Sequence, residues 1–127
     1  MRTVVCFRAS TADYCVPVEA ARAVRDTSRL VELPAPRAGV AGLLPGDPPL
    51  TVLAPFGRIG HVVLVVEAGD KTFGLLVESV TGLRQVEEAD IRLAPGGQDV
   101  VLISGTISTA DGHLTMLADP SALAARL

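Results

Sequence analysis

Few side chains in this 127-residue sequence are of the types that do acid–base or metal chemistry, and they are scattered along the chain. The two histidines, His61 and His113, stand at the start of an apolar segment and just after a turn-forming dipeptide. A histidine becomes a metal ligand or a general base only when partners surround it, and no second pair of cysteines or histidines completes a zinc site. We therefore interpret both histidines as surface residues at strand ends.

The carboxylates do not form an acid–base pair or a calcium loop. Glu78 follows the apolar segment 73–77 and has no second carboxylate or histidine beside it. We therefore expect its carboxylate to cap turn amides or to pair with an arginine elsewhere in the fold. Glu87, Glu88 and Asp90 form a short acidic run, but the alternating aspartate spacing of a calcium-binding loop is missing. This run is typical of a solvated face.

No nucleophile or phosphate-binding loop can be assembled. Ser104-Gly105 lacks the preceding glycine of a nucleophile elbow, because Leu102 occupies that position. The glycine-containing segments 45–46 and 95–97 are not followed by Lys-Ser/Thr, so they are interpreted as turns rather than as phosphate loops. Cys6 and Cys15 lie nine positions apart on neighbouring predicted strands and could approach each other; we expect them to be reduced structural thiols. The sequence predicts no enzyme, no metal and no cofactor.

Composition excludes several other classes of protein. The net charge is −3, and the nearest thing to a basic cluster, Arg22, Arg25 and Arg29, is interleaved with acidic residues, which indicates a mixed solvated face rather than a nucleic-acid site. No signal peptide is apparent, and the apolar run 61–66 is far shorter than the roughly 20 residues that span a bilayer. We expect a cytoplasmic protein of one domain that does not insert into membranes.

Short strands dominate the predicted elements. Two turns mark hairpins, Ala68-Gly-Asp-Lys71 and Asp111-Gly112, and Asp119-Pro120 is typical of a helix start. A two-turn helix is predicted at 18–25, and an irregular connection at 34–49. Strands are predicted at 3–8, 14–18, 29–33, 50–53, 61–67, 72–78, 81–86, 100–107 and 113–117. The fold class is therefore all-β, a sandwich or barrel with one or two short helices, because no long helix is available for a parallel crossover.

Several segments, taken in order, resemble the CheW-like domain of bacterial chemotaxis. Near the C-terminus, Ile103-x-Gly105 and the run from Asp111 to Asp119 are similar to that family's last strands. The other similar segments are Val4-Val-Cys-Phe7, Tyr14-Cys-Val-Pro-Val18, Leu33-Pro34-x-Pro36 with Gly39-Val-Ala-Gly42-Leu43, and Phe73-Gly-Leu-Leu-Val-Glu78-x-Val80.

The resemblance implies a fold and a function. The fold would be two SH3-like five-stranded β-barrels packed around a shared core, with residues 1–127 as a single CheW-like domain. The function would be that of an adaptor between the regulatory domain of a histidine kinase and the cytoplasmic tip of a chemoreceptor. Barrel edges and a groove between the lobes would make these contacts, with no cofactor. The oligomeric state stays open.

The sequence departs from the family in its docking segment. The family's Asn-Leu-Arg-Gly becomes Gly42-Leu43-Leu44-Pro45, so the arginine of that region is Leu44, and the aspartate that follows it is Ala54. We expect a more apolar partner surface, in which Leu44→Arg would restore affinity for standard partners. The expected partner-binding residues are Val24, Gly39, Gly42, Leu43, Leu44 and Leu83. The alternatives are a divergent decoy that keeps one partner surface, or a small-molecule sensor that uses the groove in another pathway.

Overall fold

A computed structural model describes residues 1–33, 38–57, 59–93, 102–108 and 112–127. Within these ranges the chain forms eleven strands, a short C-terminal helix (α1, Pro120–Ala124) and two 3-10 turns, Val18–Ala20 and Glu88–Asp90. The strands are β1 Arg2–Ala9, β2 Ala12–Pro17, β3 Ala21–Asp26, β4 Val40–Leu44, β5 Leu50–Leu53, β6 Val62–Ala68, β7 Lys71–Val77, β8 Ser79–Val86, β9 Ile91–Leu93, β10 Ile103–Ser108 and β11 Leu114–Ala118.

The first sheet has six strands in the order β8-β1-β2-β11-β10-β9. It contains the β1–β2 hairpin, whose turn residues Ser10 and Thr11 both have positive φ, 48° and 67°. Two positive φ values are the signature of the tight turn whose twist suits a two-residue hairpin. The C-terminal strand β11 then adds to β2 in parallel, so the two ends of the chain share this sheet.

The second sheet has five strands in the order β3-β6-β7-β5-β4. The predicted hairpin between β6 and β7 is confirmed: Ala68 pairs with Lys71 across Gly69 and Asp70, and Gly69 takes a φ of 62° that suits glycine. Residues 63–66 of β6 are all buried, as expected for a Val-rich central strand covered on both faces.

One apolar core joins the two sheets, and each sheet also encloses a smaller cluster. The shared core contains Phe7 from the first sheet, Phe73 and Leu75 from the second, and Leu123 from α1. The smaller clusters are Val4, Cys15, Val86, Ile107 and Leu117 in the six-stranded lobe, and Leu44, Val52, Ala54, Val63 and Leu76 in the five-stranded lobe. This is the expected all-β architecture of two packed SH3-like barrels, with six strands rather than five in one lobe.

The predicted helix start at Asp119-Pro120 is also confirmed. The Asp119 side chain accepts a hydrogen bond from the backbone N–H of Ser121 at 3.0 Å, and Pro120 occupies the first turn, where its missing N–H costs nothing. Leu123 is fully buried in the shared core, and α1 packs against β6 and β7 of the five-stranded sheet.

The predicted helix at 18–25 is wrong. Only Val18–Ala20 is helical, as a 3-10 turn, and Ala21–Asp26 continue as β3, which pairs with Val62–Val66 of β6. The apolar spacing that suggested a helix does not mark a buried face, because residues 22–26 are all exposed. Backbone pairing with a central strand, rather than burial of side chains, decides the conformation here.

Two further expectations about strands are corrected. The predicted strand at 29–33 is reduced to one bridge at Val31, and the predicted irregular connection at 34–49 contains β4. The short strand β9 was not predicted. Four expectations fall outside the described residues: the proline motif at Pro34 and Pro36, the turn at 95–97, the first residues of the strand at 100–107, and Asp111 of the second hairpin turn.

Candidate functional site: partner-docking surfaces

The six expected partner-binding residues do not form one patch. Val24, Gly42, Leu43 and Leu44 belong to the two edge strands of the five-stranded sheet, β3 and β4. Gly39 precedes β4 and lines a groove between the lobes, and Leu83 lies on an edge strand of the other sheet. The structure therefore presents three separate surfaces.

The edges of the five-stranded lobe meet through the segment that follows β3. The chain turns at residues 27–30, where the Leu30 N–H donates to the Thr27 carbonyl, and Val31 then pairs with Leu43 of β4. Gly42 is needed at this junction: it has a φ of 154°, and a Cβ added there would collide with the carbonyl oxygen of Val31. Gly42 is buried, and its role is to let the backbone of β4 approach Val31 at the Val31–Leu43 bridge, which closes this lobe.

The expectation that Leu44 lies on the docking surface is corrected. Its side chain is 1% exposed and packs in the cluster of the five-stranded lobe. Alternation along β4 buries Leu44 and leaves Leu43 half-buried, since successive side chains of a strand point to opposite faces. Leu44→Arg would place a charge in an apolar cluster, so it would destabilise the lobe rather than restore a docking contact.

A shallow depression of about 290 Å³ lies on this lobe between β3, the turn at 27–30 and β4. The described residues around it are Val24, Arg25, Asp26, Ser28, Arg29 and Leu44, of which Leu44 has a buried side chain. Val24 is 52% exposed, and the side chains of Arg25 and Arg29 are exposed. Arg25 and Arg29 are exposed beside Asp26, as the sequence indicated for a mixed solvated face, and the turn at 27–30 gathers them around the depression.

Asp26 organises the rim of this depression. Its carboxylate accepts hydrogen bonds from the backbone N–H of Ser28 at 2.9 Å and from the Ser28 hydroxyl. These bonds, aided by Arg25 and Arg29, hold the pKa of Asp26 below its ordinary value. The rim therefore carries two guanidinium groups beside one carboxylate that stays ionised, an arrangement suited to a polar partner.

The second surface is a groove of about 500 Å³ between the lobes. One wall comes from the residues just before β4 and from the end of β5 with the two residues after it, and the other from Leu102 and the two residues after α1. Its described lining residues are Ala38, Gly39, Leu53, Ala54, Pro55, Leu102, Ala125 and Arg126. Apart from Arg126, the described lining side chains are small or apolar, which suits an apolar segment of a partner.

The third surface is the open end of the six-stranded barrel, where Leu83 is 70% exposed. A recess of about 320 Å³ there is lined by Cys6, Asp13, Thr81, Gly82, Leu83, Arg84, His113 and Thr115. Asp13 accepts a hydrogen bond from Arg8 at 3.1 Å, and its other carboxylate oxygen lies 4.0 Å from His113 Nε2. Sequence reasoning singled out Leu83, but the spacing of the polar residues gave no sign that they would meet at this end.

The side chains considered for chemistry stay apart. His61 and His113 are exposed at strand ends, as expected, and the Ser104 hydroxyl donates to the Leu117 carbonyl at 3.4 Å. In the described ranges, no group of three or more histidine, cysteine, aspartate or glutamate side chains is placed to hold a metal ion. The same ranges contain no helix long and apolar enough to cross a membrane.

Comparison with known proteins agrees with the geometry. The chain superposes on the scaffolding protein TtCheW from Thermoanaerobacter tengcongensis with a TM-score of 0.80 and 17% identity, covering 93% of this chain and 88% of that one. No curated protein sequence matches it. The model of the CheW-like domain family matches residues 48–127, more than half of the sequence. The chain therefore belongs to the CheW-like domain family.

Proposed function

We propose that this chain is a cytoplasmic, non-enzymatic adaptor that couples the regulatory domain of a histidine kinase to the cytoplasmic tip of a chemoreceptor. Its membership of the CheW-like family over residues 48–127 carries this proposal. The two-barrel fold, which it shares with the scaffolding protein TtCheW, supports it. An adaptor must hold two partners at once, and this requires two surfaces that do not overlap.

The depression on the five-stranded lobe is suited to the kinase. Arg25 and Arg29 can each donate a fork of hydrogen bonds to a carboxylate or to backbone carbonyls at the edge of a partner barrel. The exposed part of Val24 supplies apolar area beside these charges. In this chain, Arg25 and Arg29 would provide the cationic contact that the family makes from the position of Leu44.

The groove between the lobes is suited to the receptor. It is about 500 Å³ in volume, and its described walls share no residue with the depression. An apolar segment of a receptor tip could therefore bind there while the kinase occupies the depression. Contacts of this limited size are typical of transient signalling complexes, with affinities around micromolar.

One charge-changing substitution on each surface tests this assignment. Arg29→Glu should weaken binding to the kinase regulatory domain at least about tenfold, a loss of roughly 1.4 kcal/mol, and leave binding to the receptor tip unchanged. Ala125→Glu, on the exposed wall of the groove, should have the opposite pattern. Leu93→Glu is the matched control, because Leu93 is 83% exposed on β9 and lines neither surface.

The readout is isothermal titration of each variant with each purified partner, followed by sedimentation of the three-component mixture. The proposal requires a ternary complex that either surface variant disrupts and the control does not. Kinase binding without receptor binding would identify a decoy that has kept one surface. Equal loss of both partners in all three variants would contradict the division into two surfaces.

A further inference from the structure

The two cysteines face each other across the β1–β2 hairpin. Cys6 and Cys15 are register partners, and both side chains belong to the apolar cluster inside the six-stranded lobe. Their neighbours Phe7 and Tyr14 point to the opposite face, where the two rings stack with centroids 5.6 Å apart. The two thiols thus share one face of the hairpin, inside the barrel.

The register places the cysteines at the kind of pair that brings side chains closest. Ala9 and Ala12 close the two-residue turn, and the closing pair of such a hairpin is hydrogen-bonded. Hydrogen-bonded and non-hydrogen-bonded pairs alternate, so Cys6 and Cys15, three pairs along an unbroken register, form a non-hydrogen-bonded pair. The Cα atoms of such pairs lie about 4.5 Å apart, at the short end of the range that a disulfide spans.

We infer that Cys6 and Cys15 form a dithiol that low-molecular-weight disulfides oxidise to a cross-strand disulfide. The recess at the open end of the barrel gives such a reagent its route, because Cys6 is half-buried and lines this recess. Cys15 is fully buried beneath it. Cys6 is therefore the attacking thiol and Cys15 the resolving one.

The reaction is two exchanges. The Cys6 thiolate attacks one sulfur of the reagent, whose S–S bond breaks to release a first thiol and leave a mixed disulfide on Cys6. The Cys15 sulfur, on losing its proton to solvent, attacks the Cys6 sulfur and expels the second thiol. The cysteine pair loses two electrons and two protons, and the reagent is reduced to two thiols.

The surroundings of the pair set the pH dependence of its rate. Burial raises the pKa of Cys6, Arg84 on β8 opposes this rise, and Asp13 on β2 adds to it. Burial and the nearby Cys6 raise the pKa of Cys15 to about 12, against the opposing fields of Arg84 and Arg2. His113, just before β11, lines the same recess. Because the thiolate is the nucleophile, oxidation should accelerate as pH rises.

The test uses the full chain and oxidised glutathione. The folded protein is incubated with excess reagent under mildly alkaline conditions and then unfolded in the presence of an alkylating agent. Intact mass and peptide mapping follow. We expect a monomer that has lost both free thiols together and yields one peptide pair joined through Cys6 and Cys15. Cys15→Ser should instead accumulate a glutathione adduct on Cys6, and Cys6→Ser should leave Cys15 unmodified while the protein is folded.

Two results would overturn the inference. One is a wild-type protein that carries glutathione on Cys6 while Cys15 is recovered fully alkylated. The other is a dimer joined through Cys6. Since the wild-type peptide map alone distinguishes these results from the expected one, the test does not depend on the folding of the serine variants, which circular dichroism checks.

Discussion

Val31 and Leu43 exchange two backbone hydrogen bonds, each 2.9 Å long, and so attach the segment after β3 to the edge of β4. This single bridge gives the edge strand β4 a second neighbour and holds the turn at 27–30 beside the depression. The segment that resembles the family's docking motif therefore has a structural role here. Its Gly42 and Leu44 build the closure, whereas the exposed side chains around the depression come from β3 and the following turn.

Gly42→Ala should be strongly destabilising. The added methyl group would displace the Val31 carbonyl and force a φ of 154° on a residue with a Cβ, at a cost of roughly 1–3 kcal/mol or more. The midpoint of urea unfolding measures this loss. Gly69→Ala is the control: Gly69 also has a positive φ, but a methyl group added there would meet only open space, so this variant should lose less. Equal losses of stability in the two variants would show that collision of the added methyl group with the Val31 carbonyl does not contribute to the destabilisation.

Leu43→Ala and Leu44→Ala form a matched pair on one strand. Leu44 is 1% exposed in the cluster of its lobe, so its truncation should cost about 2–5 kcal/mol of unfolding free energy. Leu43 is half-buried, and its truncation should cost distinctly less. Denaturant unfolding of both variants checks the order, and a larger loss for Leu43→Ala would mean that the burial pattern along β4 is reversed.

The pKa of Asp26 should depend on Ser28. Hydrogen bonds from the Ser28 hydroxyl and backbone hold the pKa of Asp26 below 3.8, its ordinary value. The folded state then binds this proton less readily than the unfolded state does. The stabilisation is present above the unfolded pKa and is lost as pH falls through the folded pKa. Carboxyl-detected NMR titration should show the pKa of Asp26 rising towards 3.8 in Ser28→Ala, and an unchanged value would exclude the hydroxyl as the cause.

The cap of α1 should contribute measurably to stability. Asp119→Ala removes the acceptor of the 3.0 Å bond from the Ser121 N–H and should cost about 0.5–2 kcal/mol. Asp119→Asn keeps an acceptor oxygen at that position and should retain most of the stability. Thermal unfolding of the two variants provides the comparison. If both melt at the wild-type temperature, the cap does not fasten α1 to the core.

The sequence predicted secondary structure correctly where strand pairing is local and the turn residues are distinctive. The Gly69–Asp70 turn and the Val-rich strand before it predict the β6–β7 hairpin, and Asp119-Pro120 predicts α1, because in each case neighbouring residues supply the stabilising contacts. The strand β3 could not be predicted in this way. Its residues 22–26 are exposed on both faces, so their pattern carries no alternation, and pairing with the distant β6 determines their conformation.

The residues of the docking surfaces were harder to predict from the sequence than the fold was. A leucine beside a glycine is compatible with either side of a strand, and only the register of β4 shows that Leu44 points inward and Leu43 does not. The grouping of Val24 with Arg25 and Arg29 depends on a turn that brings residues from both sides of it together. For Cys6 and Cys15 the sequence predicted only neighbouring strands on which they could approach each other, and the tight turn at Ser10 and Thr11 is what makes them register partners.

The most direct test of the adaptor proposal is a calorimetric titration of the purified protein with the regulatory domain of a histidine kinase from the same genome. We expect a complex with an affinity around micromolar, which Arg29→Glu weakens and Leu93→Glu does not. Absence of heat and of any complex by sedimentation, with a protein that is folded by circular dichroism, would contradict the proposal that this barrel pair couples a kinase.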